Sequence, residues 1–587
     1  MKKVLFVMLG FVLVPAVLYA GQGDMLEYFG EEVISCIFIQ DLRDTIKSGR
    51  DSVVWEIWKD DEIQAFWKGP EKQFRKIMEE IKEESGIDIK EAFDNLVELR
   101  GGIGIGFYGI NFDEDIAESL IVMTGIPGSR MDYFGKTVKK IFDNAGYGRD
   151  LKEQTISGKE VTALQSRNRP SFYIWENGHD LLISFSKRPM EIAIRSSAAG
   201  KADQKLKKTA ERFRESRGAG LIAYGNMNKA ISHFESLKGE AQGDISEILD
   251  MLSPFGVRDL DTVAVHTAFR ERGFYTGFAV SVKPGAKLRM YTCERIRERD
   301  LKKIPASAVS FSAFTIDPEY TYDTIIKSFS MYTGDPEIPE YQEIVRELKE
   351  KADVSVREEL VKSLTGKFLV YSYSPSLIFA GDPGVVIRAE LRYRRPLRKL
   401  IAYFMKENAD NEEISISSIR IKGRNVYTMA MPGLLFHPTV VINRSELIIA
   451  TTKDAAAAAI SDPEKNILEH PEYTRLEEHI SSKEAFLVSY ADARSIIDRA
   501  YSISKTMLHI MYKDMDMEYV DLSKIPTAHA LTRNMFGAKY IMRKTGNDIV
   551  GEAYAPLEYF ILNSFLNGFV VHFGSIMMME DLFHGRF

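Results

Sequence analysis

Residues 70 to 232 recur in altered form about 266 residues further along the chain. Self-similarity at a long fixed period constrains the fold more than any single motif, because each copy has to bury a core of its own or share one. Phe74, Ile77, Met78 and Ile81 return as Tyr341, Ile344, Val345 and Leu348. Ile87, Ile89 and Phe93 return as Val354, Val356 and Leu360. Ile156 to Val161 returns as Ile421 to Val426, with Gly158 matched by Gly423. Asp180-Leu181-Leu182-Ile183 returns as Glu446-Leu447-Ile448-Ile449, and Tyr224, Asn226 and Ile231 as Tyr490, Asp492 and Ile497. Core pattern and turn glycines are what the two copies share. No set of chemically active side chains appears in both.

Each half starts with an apolar strand-like run, Val33 to Ile39 or Ala308 to Phe314. Phe74, Ile77, Met78 and Ile81 then fall at helical spacing and form one apolar stripe. Pro70 stands close before that stripe and Pro339 close before Tyr341, where proline suits a helix start. Strands are expected at Ile103 to Ile110 and Phe368 to Tyr373, then helices near Tyr133 to Asn144 and Leu397 to Asn408. Three short strand-like runs follow in each half: Val161 to Leu164, Phe172 to Trp175 and Leu181 to Phe185, against Val426 to Met429, Val440 to Ile442 and Leu447 to Thr451. Their links are short and turn-like, so consecutive strands should pair antiparallel as a meander. Each half closes with a strand pair around Arg270 to Gly273 or Arg543 to Gly546. The expected fold class is α+β: two tandem homologous units, each an antiparallel meander-type sheet with packed helices. The expected layout is a signal peptide over residues 1–20, units over 21–295 and 296–556, and an apolar C-terminal helix or tail over 557–587.

The start supports export. Lys2-Lys3 precede an apolar run, Val4 to Val17, and Leu18-Tyr19-Ala20 forms a plausible cleavage site. An uncleaved anchor is the alternative. Export places the chain in the periplasm, an oxidising compartment. Cys36 and Cys293 either form a disulfide there or remain two buried thiols. Tyr559 to Met579 contains no Asp, Glu, Lys or Arg and is long enough to span a bilayer. Asn563, Asn567, Gly568, His572 and Gly574 make it a poor span. Phe560, Ile561, Phe565, Phe569, Val570 and Phe573 would instead form the docking face of a helix on a partner, on the second half, or at a membrane surface.

The chain is 45% hydrophobic and 27% charged with a net charge of −7, and the two signs are mixed almost everywhere. Without a basic stripe it is not a nucleic-acid binder. Gly104-Ile105-Gly106-Phe107-Tyr108-Gly109 fits a dinucleotide fingerprint, but no helix pattern opens at its last glycine, so it reads as a crowded strand. The ten histidines show no metal-ligand spacing; His470 and His479 would fall on different faces of one helix, and His266 and His529 sit in strand-like runs. Asp514, Asp516, Glu518 and Asp521 lack the glycine and terminal glutamate of a calcium loop. No catalytic residue, cofactor or metal site is assigned. The 23 methionines and 34 phenylalanines leave room for an apolar ligand surface.

Ile304-Pro305, Leu364-Thr365-Gly366-Lys367-Phe368, Ile421 with Gly423, Glu446 to Ala450 and Ala485 to Asp492 give the repeat unit a recognisable outline. In that outline the chain resembles a bacterial family of exported, internally duplicated proteins known as a domain of unknown function. The first half departs from it, with Gly30-Glu31-Glu32 where the proline start would stand. The resemblance implies an envelope location and a duplicated α+β architecture, and it supplies no site residue. The expected function is a non-catalytic envelope module that binds a protein partner. Two alternatives stand beside it: a carrier of lipid or another apolar ligand, and a hydrolase with a site in one half.

Overall fold

The computed structural model describes residues 25–39, 41–97, 99–111, 116–144, 151–166, 169–217, 220–236, 249–250, 253–286, 294–333, 339–373, 384–409, 414–430, 437–511 and 522–557. The proposed signal, Cys293, the acidic run from Asp514 to Asp521, and the tail residues Phe560, Ile561, Phe565, Phe569, Val570 and Phe573 lie outside them. The described residues form two compact units. The first draws on residues 1–242, 260–281 and 508–530, and the second on 243–259, 282–507 and 531–587.

In the first unit the strands are β1 Ser35–Ile39, β2 Ile103–Asn111, β3 Ile116–Met123, β4 Leu151–Ile156, β5 Lys159–Ser166, β6 Arg169–Asn177, β7 Asp180–Ser184, β8 Leu221–Asn226, β9 Leu260–Arg270 and β10 Gly273–Val282. The helices are α1 Leu26–Phe29, α2 Leu42–Arg50, α3 Val53–Trp58, α4 Asp61–Ser85, α5 Ile89–Val97, α6 Gly128–Asn144, α7 Lys187–Ala199, α8 Gln204–Arg217 and α9 Met227–Glu235. Across the sheet the order is β10-β9-β8-β1-β2-β3-β7-β6-β5-β4, with antiparallel register from β9 to β4. The expected meander of three strands is β5 to β7, and β4 extends it by one more. The strand that receives it is β3, which pairs with β7 so that Val122 faces Leu182.

The second unit contains β11 Ser310–Thr315, β12 Leu364–Ser372, β13 Val385–Leu391, β14 Ser415–Ile421, β15 Arg424–Ala430, β16 Thr439–Ile442, β17 Glu446–Ala450, β18 Ala485–Ala491, β19 Ala538–Thr545 and β20 Asp548–Ala555. Its helices include α10 Glu298–Leu301, α11 Pro318–Thr333, α12 Pro339–Ala352, α13 Arg395–Glu407, α14 Lys453–Ala459, α15 Pro471–His479 and α16 Ala493–Met511. Its strand order is β20-β19-β18-β11-β12-β13-β17-β16-β15-β14, all antiparallel. Strand for strand this is the order of the first unit. The fold class is α+β, with antiparallel pairing as the sequence led us to expect.

Local chemistry accounts for the elements. The β4–β5 and β14–β15 hairpins turn on Ser157-Gly158 and Lys422-Gly423. Positive φ at both central residues, 46° and 80° in one turn and 49° and 75° in the other, is the twist that two-residue hairpins require. In β2 the glycines are set by packing. A Cβ on Gly104 would stand 2.6 Å from the Phe38 Cβ, and one on Gly106 would stand 2.7 Å from the Phe29 ring. Phe29 and Phe38 are buried there with Tyr108, Leu120, Trp175 and Leu206, so the glycine-rich run makes room for rings and cradles no phosphate.

Two expectations are corrected. Pro70 does not start its helix: α4 begins at Asp61, capped by the Asp60 carboxylate on the Glu62 N–H at 2.9 Å, and carries Pro70 inside it. Proline removes one helical hydrogen bond, and the turns on either side hold the helix together. Pro339 does open α12. His529 lies in a short helix, Ala528–Thr532, and not in a strand, whereas His266 is a buried residue of β9.

Candidate functional site

An apolar stripe at helical spacing ordinarily faces a core. Here it does not. Ser85 is the one buried residue of α4, while Trp67, Phe74 and Ile77 stand 37–38% exposed. Trp67 packs edge-on against Trp58 with ring centroids 5.3 Å apart. In the second unit α12 occupies the same connection, between the first and second strands, and there Ile344 is 39% exposed. Ile77 and Ile344 are the matched positions of the repeat. Each unit therefore presents the same apolar position to solvent.

Charge is treated differently in the two interiors. In the second unit Arg388 of β13 makes a two-pronged bond to Glu446 at 2.8 and 3.1 Å, and Lys303 adds a third contact at 3.0 Å. Burial raises the Glu446 carboxyl and lowers the Arg388 guanidinium. Their mutual bonds and charges outweigh it, leaving the acid below and the base above its ordinary range. Lys367 pairs with Asp300 at 3.0 Å. Lys539 of β19 is fully buried on Glu477 and the Ile480 carbonyl, with its ammonium 4.8 Å from the Tyr473 ring centroid. Burial pulls that ammonium down to about 8, against the opposing pull of Glu477. By strand register, Arg388 corresponds to Val122 and Lys539 to Ala264 of the first unit. These charges close on one another inside the second unit.

A cleft of about 240 Å³ opens in the second unit between the N-termini of α15 and α16, lined by His470, Pro471, Glu472, Asp492 and Arg494. His470 caps α15, its Nδ1 accepting the Tyr473 N–H at 3.4 Å. Asp492 caps α16 through the Ser495 N–H at 3.2 Å and also accepts the Ser495 hydroxyl at 2.5 Å. Glu472 accepts the Gly537 N–H at 2.9 Å. Arg494 is turned onto the carbonyls of Thr532, Arg533 and Met535. Tyr490 of β18 is 2% exposed, and its hydroxyl has no hydrogen-bond partner among the described residues. Burial first, then the charges of Asp492 and Glu472, hold that phenol well above its ordinary range. A Cβ on Gly537 would stand 3.1 Å from the Tyr490 hydroxyl and 3.2 Å from a Glu472 oxygen.

The first unit has the same two capped helix starts without the same cleft lining. Asp203 caps α8 and Asn226 caps α9, the latter accepting the Lys229 N–H at 3.1 Å. The Lys229 side chain reaches across, its ammonium 2.7 Å from the Asp203 carboxylate and also on the carbonyls of Glu31 and Val33. Cap for cap, Lys229 corresponds to Ser495.

Of the residues singled out in the sequence, Cys36 is a buried thiol on β1, pushed well up by burial and then by Asp203. Among the described residues no group of His, Cys, Asp and Glu is placed to hold a metal ion. None of the described helices is long and apolar enough to cross a membrane. The sequence reading missed Arg388, Glu446, Lys539, Glu477 and the cleft. One signal was available: Arg388 sits in the inward phase of Val385-Val386-Ile387-Arg388-Ala389, where alternation calls for an apolar side chain.

No family model matches the chain, and no curated protein matches it. Among solved structures, crystal form III of TP0453 aligns at 12% identity and a TM-score of 0.22, covering 45% of this chain and 82% of that one. Crystal form I of TP0453 aligns at 13% identity and a TM-score of 0.22, covering 45% and 81%. At that score the likeness carries nothing over to this chain.

Proposed function

We propose that this protein is a non-catalytic, exported interaction module of the cell envelope, built by internal duplication, that binds a protein partner through the exposed apolar positions on α4 and α12. The carrying observation is that Ile77 and Ile344, matched positions of the repeat, are both exposed. A solvent-facing isoleucine is unremarkable once. The same position left open in each of two units, beside Trp67 and Phe74 in one of them, is the kind of surface that marks an interaction site. The shared strand order supports the duplication, and the basic and apolar start of the sequence supports export.

Photo-crosslinking from positions 77 and 344 in cells of the source organism tests this. The expected product is a defined protein adduct from each position. An adduct of lipid alone would replace the protein partner with an apolar ligand, and no adduct above that from an exposed polar control position would refute the reading.

A further inference from the structure

We infer that the open apolar face of the second unit's sheet is the seat of the chain's own C-terminal segment, Tyr559 to Met579. The inference stands apart from the exposed positions on α4 and α12 and does not depend on them.

Matched positions of the two units reveal the face. In the second unit Val370, Ile387, Ile449 and Val440 stand side by side in register across β12, β13, β17 and β16. Cross-strand partners point to the same side of a sheet, so the four make one apolar row. Ile387 and Ile449 are each 36% exposed. By strand register they correspond to Ile121 and Ile183 of the first unit, each 8% exposed. There the two isoleucines are buried in one core cluster with Phe134 and Val138 of α6. The counterpart of α6 is α13, because Asp143-Asn144 at the end of one returns as Glu407-Asn408 at the end of the other. At that spacing Phe134 becomes Arg398 and Val138 becomes Ala402, both exposed. The second unit carries the same isoleucines without the side chains that cover them.

The sequence supplies an occupant of matching chemistry. Tyr559 to Met579 contains no Asp, Glu, Lys or Arg and carries Phe560, Phe565, Phe569 and Phe573. An uncharged segment can cover apolar surface without taking a charge out of water. Its reach fits the sheet. Tyr554 of β20 shares one cross-strand row with Lys539, Tyr490, Phe311, Tyr371 and Val386, so β20 ends level with Ile387. Five strand spacings lie between them, about 24 Å at about 4.8 Å each. The 21 residues from Tyr559 to Met579 cover about 31 Å even when wound as a helix. Tethered to the same sheet, the segment meets the face at a local concentration that a separate chain does not match.

Photo-crosslinking of the purified full chain tests this, with benzoylphenylalanine at position 387 or, separately, at 449, and the products read by peptide mass spectrometry. Mixing light and heavy isotope-labelled chains separates crosslinks within a chain from those between chains. The expected product is a crosslink within one chain to a peptide from residues 559–579, absent when the photo-residue stands at the exposed Ser418 of β14. Phe565→Asp combined with Phe569→Asp is expected to abolish it, since two charges would have to enter apolar surroundings. Circular dichroism checks that each variant is folded, and position 449 serves if the chain substituted at 387 is not. A light–heavy crosslink would assign the face to a second copy and a lipid adduct would assign it to an apolar ligand; either would overturn the inference. So would the absence of the 559–579 peptide from both positions, or a crosslink that the folded double variant leaves unchanged.

Discussion

Arg388 and Glu446 show how much one buried residue can carry. Val122 occupies the matching register position in the first unit and needs no partner, whereas Arg388 is tolerated because Glu446 and the Lys303 carbonyl meet its donors. Removing one member of a buried pair strands the other, and that cost exceeds the net worth of the pair. Glu446→Gln is therefore expected to destabilise the second unit by about 3–5 kcal/mol, read as a shift in its urea midpoint. The same carboxyl sets a pH dependence. Its folded value lies below the unfolded value of 4.5. Its stabilisation is then complete above that value and is lost as pH falls through the lower, folded one. Urea midpoints of the unmodified chain should drop as pH is lowered below about 4.5, following a carboxylate's ordinary range. Glu446→Gln should flatten part of that drop, and an unchanged slope would assign the acid sensitivity elsewhere.

At the scale of elements, glycines of two kinds separate backbone strain from crowding. Gly158 and Gly423 have positive φ and open space where a Cβ would go. Alanine at either should cost only the left-handed conformation, about 1–2 kcal/mol, and the two costs should agree because the turns are alike. Gly104 has extended backbone, yet a Cβ there would press on Phe38 and Phe29. Gly104→Ala should cost more than the turn variants, and Phe29→Ala, which removes the ring 2.9 Å from that Cβ, should relieve part of it in a double-mutant cycle. The exposed helix behaves in the opposite way. Because Ile77 is 38% exposed, Ile77→Glu should leave thermal stability within the range of ordinary surface changes, about 0.5 kcal/mol, while removing the photo-crosslinked adduct at α4. A large loss of stability instead would mean that α4 is a packing element.

For the whole molecule, two units of one topology offer two copies of the same apolar position. If both stripes serve one kind of partner, Ile77→Glu or Ile344→Glu alone should weaken capture of that partner and the double variant should abolish it. A single substitution that abolishes capture would assign the surface to one unit. Much of this architecture was legible in the sequence. Alternating and helical periodicities and the paired glycine turns all act between residues a few positions apart, and they pointed to the α+β class and most strands. Pro70 misled because proline is a strong local signal, and the helix around it is held by turns on both sides. By itself the sequence determined the elements and the repeated pattern that orders them, since local backbone and side-chain preferences decide both. Only the tertiary structure decided that Phe74 and Ile77 of α4 stay exposed, that Arg388 and Lys539 lie inside with acids to meet them, and that Lys229 reaches Asp203 whereas Ser495 stops at its own cap. Those outcomes depend on which strands pair and in what register. Pairing brings together groups far apart in the chain, and the free energy of a charge or an apolar face is set by what then surrounds it.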